Sequence, residues 1–311
     1  MIISASFRTD IPAFYGEWFV RRLEAGYCRT VNPIGGQIHT IPLGRDAVDG
    51  IVFWTKNVRP FLPRLERVAE MGYPFYVQHS ITGYPRALEN RVPPVESLVR
   101  AAWELSRRYG PRAAVWRYDP IVYTSLTPSD HHLSMFTRLA RQLEGAVDEV
   151  VISFAHIYRK TARNMSQAAG EEGFTWRGEE PPDEEKRALA GEMAEVAAEH
   201  GMKLGVCSQS VYTCGRAVNA RCVDAPRLSA VAGRPVTART KGNRPDCLCA
   251  ESRDVGAYDT CPHGCVYCYA VAGREAALER YRAHDPHSEF LFPPAHVPED
   301  PQGDLFGDGM G

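Results

Sequence analysis

Short apolar runs that end in polar residues alternate along this chain with longer stretches in which apolar residues recur every third or fourth position. The first pattern is that of a strand buried on both faces, the second that of a helix with one buried stripe. Six strands are predicted, over residues 2–6, 51–54, 75–77, 113–116, 150–152 and 203–206. The last five close on Thr55-Lys56-Asn57, Gln78-His79-Ser80, Arg117-Tyr118-Asp119, Ser153 and Cys207-Ser208-Gln209. Helices are predicted between them over residues 59–71, 95–109, 128–143 and 183–200. A first helix is capped by Asp10, carries Pro12 in its first turn and stops near Gly26. Strands alternating with helices imply a parallel sheet with right-handed crossovers, and six repeats with polar strand ends give an α/β chain built as a (β/α)6 partial TIM-type barrel. An open doubly wound sheet is the alternative, without a GxGxxG turn to support it.

The remaining stretches break the rhythm. Residues 28–43, with Asn32-Pro33 and Gly35-Gly36, read as a hairpin or irregular insertion. Residues 158–183 are polar and rich in Gly and Pro, and read as a loop or lid over the barrel mouth or, equally, as a disordered surface insertion. His131-His132, on a helix, is expected to face solvent. Residues 271–284 read as a closing helix. The domain plan that follows is a barrel over 1–206, a cysteine-rich segment over 207–284 packed on its mouth, and a disordered tail over 285–311.

Composition sharpens this picture at two points. With 44% hydrophobic and 24% charged residues and a net charge of −2, the 311-residue chain is of globular type, with no global attraction for nucleic acid or an anionic membrane. No run of about eighteen apolar residues occurs, so a soluble, cytoplasmic protein is expected. One basic stretch departs from the average: Arg216, Arg221, Arg227, Arg234, Arg239, Lys241 and Arg244 face the single acid Asp224. It is either a solvated face or a phosphate site. The second point is sulfur. Eight of the nine cysteines lie between Cys207 and Cys268, and in a reducing compartment such a density favours metal or redox use over disulfides.

Cys261, Cys265 and Cys268 stand in the spacing CxxxCxxC, within Asp259-Thr260-Cys261-Pro262-His263-Gly264-Cys265-Val266-Tyr267-Cys268-Tyr269-Ala270. Three thiolates so placed can hold a metal centre from one side and leave a face of it open; a structural zinc loop is the competing reading. Cys207, Cys222, Cys247 and Cys249, with Cys214 as an alternative to Cys222, would supply four thiolates to a second site, either another Fe–S cluster or zinc. The polar strand ends point to Arg8, Lys56, Gln78, Arg117, Asp119 and Ser153 as binding or catalytic side chains, with Arg117, Asp119 and Lys56 the catalytic candidates.

The triplet loop resembles that of radical S-adenosylmethionine (SAM) enzymes, and its wording is especially similar to the spore photoproduct lyase branch. Nearly the whole chain resembles the DUF1848 family, through residues 2–15, Phe53-Trp54-Thr55-Lys56-Asn57, and Cys247-Leu248-Cys249 with Tyr258 to Ala270. The resemblance implies a [4Fe–4S] cluster on Cys261, Cys265 and Cys268, SAM at its fourth iron with Tyr267 beside the adenine, and Arg8, Gln78 and Ser153 holding cofactor. It further implies a 5′-deoxyadenosyl radical acting on an unknown substrate, and an electron donor such as flavodoxin or ferredoxin. One departure is order: in radical SAM enzymes the loop follows the first strand, whereas here it follows the last. Gln302-Gly303-Asp304-Leu305-Phe306 resembles the peptide with which bacterial DNA-maintenance proteins dock on the sliding clamp. A repair-associated Fe–S protein, and a barrel hydrolase or isomerase with structural zinc, are the competing functions.

Overall fold

A computed structural model describes residues 1–242 and 244–294; the Gln302–Phe306 peptide and most of the expected tail lie outside the described residues. The strands are β1 (Ile2–Ala5), β2 (Tyr27–Val31), β3 (Ile38–Pro42), β4 (Gly50–Thr55), β5 (Phe75–Ser80), β6 (Ala114–Ile121), β7 (Glu149–Phe154), β8 (Lys203–Val206), β9 (Val218–Asn219) and β10 (Ser252–Asp254). The helices are α1 (Ile11–Phe14), α2 (Gly16–Ala25), α3 (Leu62–Glu70), α4 (Val95–Tyr109), α5 (Ser129–Leu143), α6 (Arg159–Glu172), α7 (Asp183–Glu199), α8 (Ala225–Ala232) and α9 (Arg274–Arg282). β2 and β3 form a separate antiparallel hairpin. All other strands join one parallel sheet of order β10-β1-β4-β5-β6-β7-β8-β9.

Eight strands stand where six were expected, and the two extra ones are the edges. β9 and β10 have two and three residues, too short for an alternating pattern to register. Among the described residues no ladder joins β9 to β10, so the sheet is not closed by strand pairing. Each strand presents successive side chains to opposite faces. Ile3, Ile51, Phe53, Phe75, Val77, Trp116, Val150, Ile152 and Leu204 form one core with the apolar stripes of the helices. The alternate positions, Ile2, Val52, Tyr76, Val115 and Val151, form a second core on the other face, against Cys207, Cys222, Val223, Leu228 and Cys249. This second face turns polar toward the carboxyl ends of the strands, which is where the candidate residues collect.

Two local expectations are corrected. The stretch read as a loop or lid contains α6, a 14-residue helix. Its buried Thr161, Met165 and Ala168 recur at spacings of four and three, a narrow stripe that the surrounding glycines and charges obscure. His132 is buried rather than solvent-facing. Its Nδ1 accepts from the Tyr118 hydroxyl at 3.0 Å and its Nε2 donates to the Val122 carbonyl at 3.1 Å.

Burial pulls the His132 pKa down to about 3, which makes stability depend on pH. The unfolded chain takes up this proton below about 6.5 while the folded one does not, so stability is full above 6.5 and is lost as pH falls toward 3, at about 1.4 kcal/mol per unit. Urea midpoints measured between pH 7 and 4 are expected to show this slope. In His132→Gln the protein is weaker at pH 7 but its pH slope is shallower by about one proton.

Candidate functional site

The cysteine loop reaches the strand ends because β10 lies parallel beside β1. Asp254, at the end of β10, accepts hydrogen bonds from the hydroxyls of Ser4 and Ser6 at 2.8 and 2.7 Å and from the amides of Phe7 and Gly256 at 3.1 and 3.0 Å. Burial pushes its pKa up despite the nearby Arg8 and these donors. Gly256 is required here, because a Cβ would fall 2.0 Å from the Ser6 hydroxyl. From this anchor the loop turns at Asp259 and Gly264, both in the left-handed region with φ of 59° and 73°.

The segment after β5 holds the loop's other side. The Val266 amide donates to the Leu88 carbonyl at 3.1 Å, and the Arg91 amide donates to the His263 carbonyl at 3.0 Å. Behind the cysteines lies a buried polar layer. Glu89, 4% exposed, accepts from Lys56 Nζ at 2.7 Å, from Thr82 at 2.8 Å and from the Tyr267 hydroxyl. Burial alone would raise the Glu89 pKa and lower that of Lys56. Only together do the charge of each on the other, their hydrogen bond, the further donors Tyr267 and Thr82 on Glu89 and the nearby Cys265 and Asp119 around Lys56 outweigh this, so Glu89 is held down and Lys56 up, as an ion pair. Asp10 is a second hub: it caps α1 through the Ala13 amide at 2.9 Å and accepts from the Lys56 amide at 2.7 Å. It also meets His263 Nε2 at 2.8 Å. His79, fully buried with neither ring nitrogen hydrogen-bonded to a protein group, stands beside Asp10 and Lys56, and burial lowers its pKa to about 4.

Cys261, Cys265 and Cys268 are half-buried and border one cleft of about 770 Å³ between residues 86–91, α6 and the start of α9. Their thiols raise one another's pKa in addition to the larger effect of burial, which marks them as neighbours. Cys268 Sγ accepts the Ala270 amide at 3.3 Å. Among the described residues no three His, Cys, Asp or Glu side chains surround a common point as a single metal ion needs.

On the second face Arg117, 5% exposed, donates to Asp119 from Nε at 3.1 Å and from Nη2. Its Nη1 reaches Gln78 Oε1 at 3.3 Å and Cys222 Sγ at 3.1 Å, and the guanidinium lies 5.1 Å from the Trp54 ring centre. Ser153 donates to the other Asp119 oxygen. Arg8 lies 3.7 Å from Asp254 and over the Tyr258 ring. The structure thus gathers Gln78, Arg117, Asp119 and Ser153 into one network and Lys56 with Tyr267 into another, with Arg8 on the β10 side. Both candidate cations, Lys56 and Arg117, are already held in buried ion pairs.

The other thiols divide clearly. Cys222 Sγ lies 3.3 Å from Cys207 Sγ, Cys222 also bonds Cys249, and Cys249 bonds Cys247. Cys214 is elsewhere, donating to the Arg187 carbonyl at 3.1 Å. The basic stretch is largely neutralised: Arg216 pairs with Glu195, Arg227 with Asp148 and Glu149, Arg234 with Asp49, and Arg239 and Lys241 with Glu251. A smaller hollow of about 280 Å³ beside Tyr123, Phe154 and Trp176 holds none of the expected residues. Residues missed in the sequence are Asp10 beyond its capping role, His79, Glu89, His263 and Asp254. The readable signal for Asp254 was the pair Ser4 and Ser6, polar at alternate places of an otherwise apolar strand.

Residues 2–270 match the model of a family described as "Domain of unknown function (DUF1848)". The chain belongs to the DUF1848 family. No curated protein matches it. Among solved structures, one described as a "putative alpha-L-fucosidase" from Bacteroides thetaiotaomicron shares 12% identity at a TM-score of 0.27, over 76% of this chain and 82% of that one. So low a score carries no argument about function. Among the described residues no helix is long and apolar enough to cross a membrane.

The Lys56–Glu89 pair backs Tyr267 and the cysteine loop. Glu89→Ala leaves a buried ammonium unpaired and is expected to cost about 3–5 kcal/mol in chemical denaturation. The double variant Lys56→Met with Glu89→Leu recovers much of that loss, and a double-mutant cycle reads the coupling.

Proposed function

We propose that this DUF1848 chain is a radical-SAM-type enzyme, with Cys261, Cys265 and Cys268 as ligands to a [4Fe–4S] cluster. In this reading the sheet is a partial barrel and its second face is the interior. The observation that carries the proposal is that three thiols of one loop border a single cleft as neighbours of one another. When bound, the cluster and SAM would supply one-electron chemistry, giving methionine and a 5′-deoxyadenosyl group that removes hydrogen from substrate.

The protein's own groups then have definite work. Lys56 and Glu89 fix Tyr267 from behind, so its ring presents an edge fixed in place. α6 contributes Met165 and Ala168 to the same apolar cluster as that ring. Burial raises the Cys268 pKa, and the Ala270 and Val271 amides, then the charges of Lys160 and Lys56, act against it in favour of the thiolate. Across the mouth, Arg117 and Ser153 hold Asp119 in one orientation, a fixed acceptor for a substrate hydroxyl or amine. Arg8 and Gln78 complete the polar rim.

Anaerobic reconstitution tests this directly. About four irons and four sulfides per chain are expected, and SAM with dithionite is expected to yield 5′-deoxyadenosine. Replacing Cys261, Cys265 and Cys268 together with alanine should remove that iron and reduce the product to background. Wild-type protein with zinc at the triplet, or without 5′-deoxyadenosine when four irons are loaded, contradicts the proposal.

A further inference from the structure

All nine cysteines are thiols, and four of them touch one another in succession beside the two edges of the sheet. Cys207 follows β8, Cys222 lies just beyond β9, and Cys247 and Cys249 lie just before β10. The sulfurs of Cys207 and Cys222 are 3.3 Å apart. Cys222 also hydrogen-bonds Cys249, and Cys249 hydrogen-bonds Cys247. These contacts are pairwise; among the described residues no three such side chains surround an ion. Cys207, Cys222 and Cys249 are buried, whereas Cys247, at the end of the file, is half-buried.

We propose that Cys207 and Cys222 are a reversible dithiol–disulfide couple, oxidised by a hydroperoxide whose oxidising equivalent enters at Cys247 and passes inward through Cys249. Cys247 attacks the O–O bond, becomes a sulfenic acid and releases the hydroperoxide's alcohol, or water where the oxidant is hydrogen peroxide. The Cys249 thiol then displaces water from that sulfur and forms a Cys247–Cys249 disulfide. Cys222 attacks the Cys249 sulfur, and Cys207 in turn attacks the Cys222 sulfur. Each exchange makes one S–S bond, breaks one, and moves the attacker's proton to the departing sulfur. The net change consumes two S–H groups and one hydroperoxide, and gives one disulfide, one alcohol and one water.

The backbone on both sides of the inner pair is held, which leaves side-chain rotation to bring the two sulfurs to the about 2.0 Å of a disulfide. The Cys222 carbonyl accepts from the Tyr76 hydroxyl at 2.8 Å and from Gln78 Nε2 at 2.7 Å, and the Cys207 amide donates to the Ile152 carbonyl at 2.9 Å. The outer pair is tied in the same way: the Lys241 amide donates to the Cys249 carbonyl, and the Ala250 amide to the Val223 carbonyl, both at 2.9 Å. The hydrogen bond with Cys207 and the Arg117 charge favour the Cys222 thiolate, but Cys249 and burial prevail over them. Oxidation of the inner pair is therefore slow by direct attack and follows the file from its half-buried end. Because Arg117 donates to Cys222 Sγ at 3.1 Å, the state of the couple bears on the Arg117–Asp119 pair beside it.

The test treats full-length protein, purified without oxygen, with hydrogen peroxide, alkylates the remaining thiols and reads the linkages by mass spectrometry of an unreduced digest. A Cys207–Cys222 linkage is expected, reversed by dithiothreitol, with Cys28 and Cys214 still thiols. Cys247→Ser should slow its formation at least tenfold, and Cys207→Ser should stop the exchange at a Cys222–Cys249 linkage. The triple alanine variant of Cys261, Cys265 and Cys268 should form the same Cys207–Cys222 linkage, so the couple and the radical reading fail separately. Folded wild-type protein that keeps Cys207 and Cys222 as thiols in excess peroxide overturns the proposal. So does an end product in which either is paired otherwise, a metal ion or a second Fe–S cluster on these cysteines, an unchanged rate in Cys247→Ser, or no Cys222–Cys249 linkage in Cys207→Ser.

Discussion

Asp254 is the interaction on which the rest of this architecture depends. Its two oxygens take four donors from the end of β1 and the turn after β10. A carboxylate buried this far is tolerable only when fully partnered, and the partnering fixes β10 in register beside β1. The loop that follows β10 has then no choice of destination. It emerges at the carboxyl end of the sheet, next to the first strand, and the segment after β5 clamps its far side. A loop late in the chain thereby occupies the place beside the first strand.

The same constraint separates the sulfur into two kinds. The triplet sits half-buried on a cleft, backed by charged pairs that hold position without closing around a metal. Of the five other thiols in this segment, Cys207, Cys222 and Cys249 lie in the second core among Val52, Tyr76 and Val151 with Cys247 packed against it, and there Arg117 donates to Cys222. Burial raises the triplet thiols above their ordinary pKa, and the hydrogen bond with Cys222, followed by burial, raises that of Cys207. Deprotonation therefore needs a cation from outside, and any metal that binds is linked to the release of protons. Arg117 and Lys56 are the cations that reach these thiols, each committed to a carboxylate and each touching or neighbouring a cysteine.

Much of the sheet could be read before the structure. The six inner strands, β1 and β4 to β8, carry apolar runs because both faces are covered, and long amphipathic helices such as α4 match their predicted bounds. β9 and β10 could not be read, since two or three residues contain no period and their strand character comes entirely from pairing. α6 escaped because three buried residues in fourteen give little contrast against charge. Within the site, the cysteines and strand-end residues were visible as types in a spacing. Glu89, His79 and Asp254 were not, because an isolated acid or histidine signals nothing until the fold shows that it is buried and what it touches.

The claim at the centre is that the triplet holds a cluster with one iron left open to SAM. Electron paramagnetic resonance of the reduced, reconstituted protein, recorded with and without SAM, tests it most directly. The account predicts one reduced-cluster signal that changes shape when SAM is added and disappears in the protein lacking Cys261, Cys265 and Cys268. A signal indifferent to SAM, or one that survives the loss of those three cysteines, would contradict it.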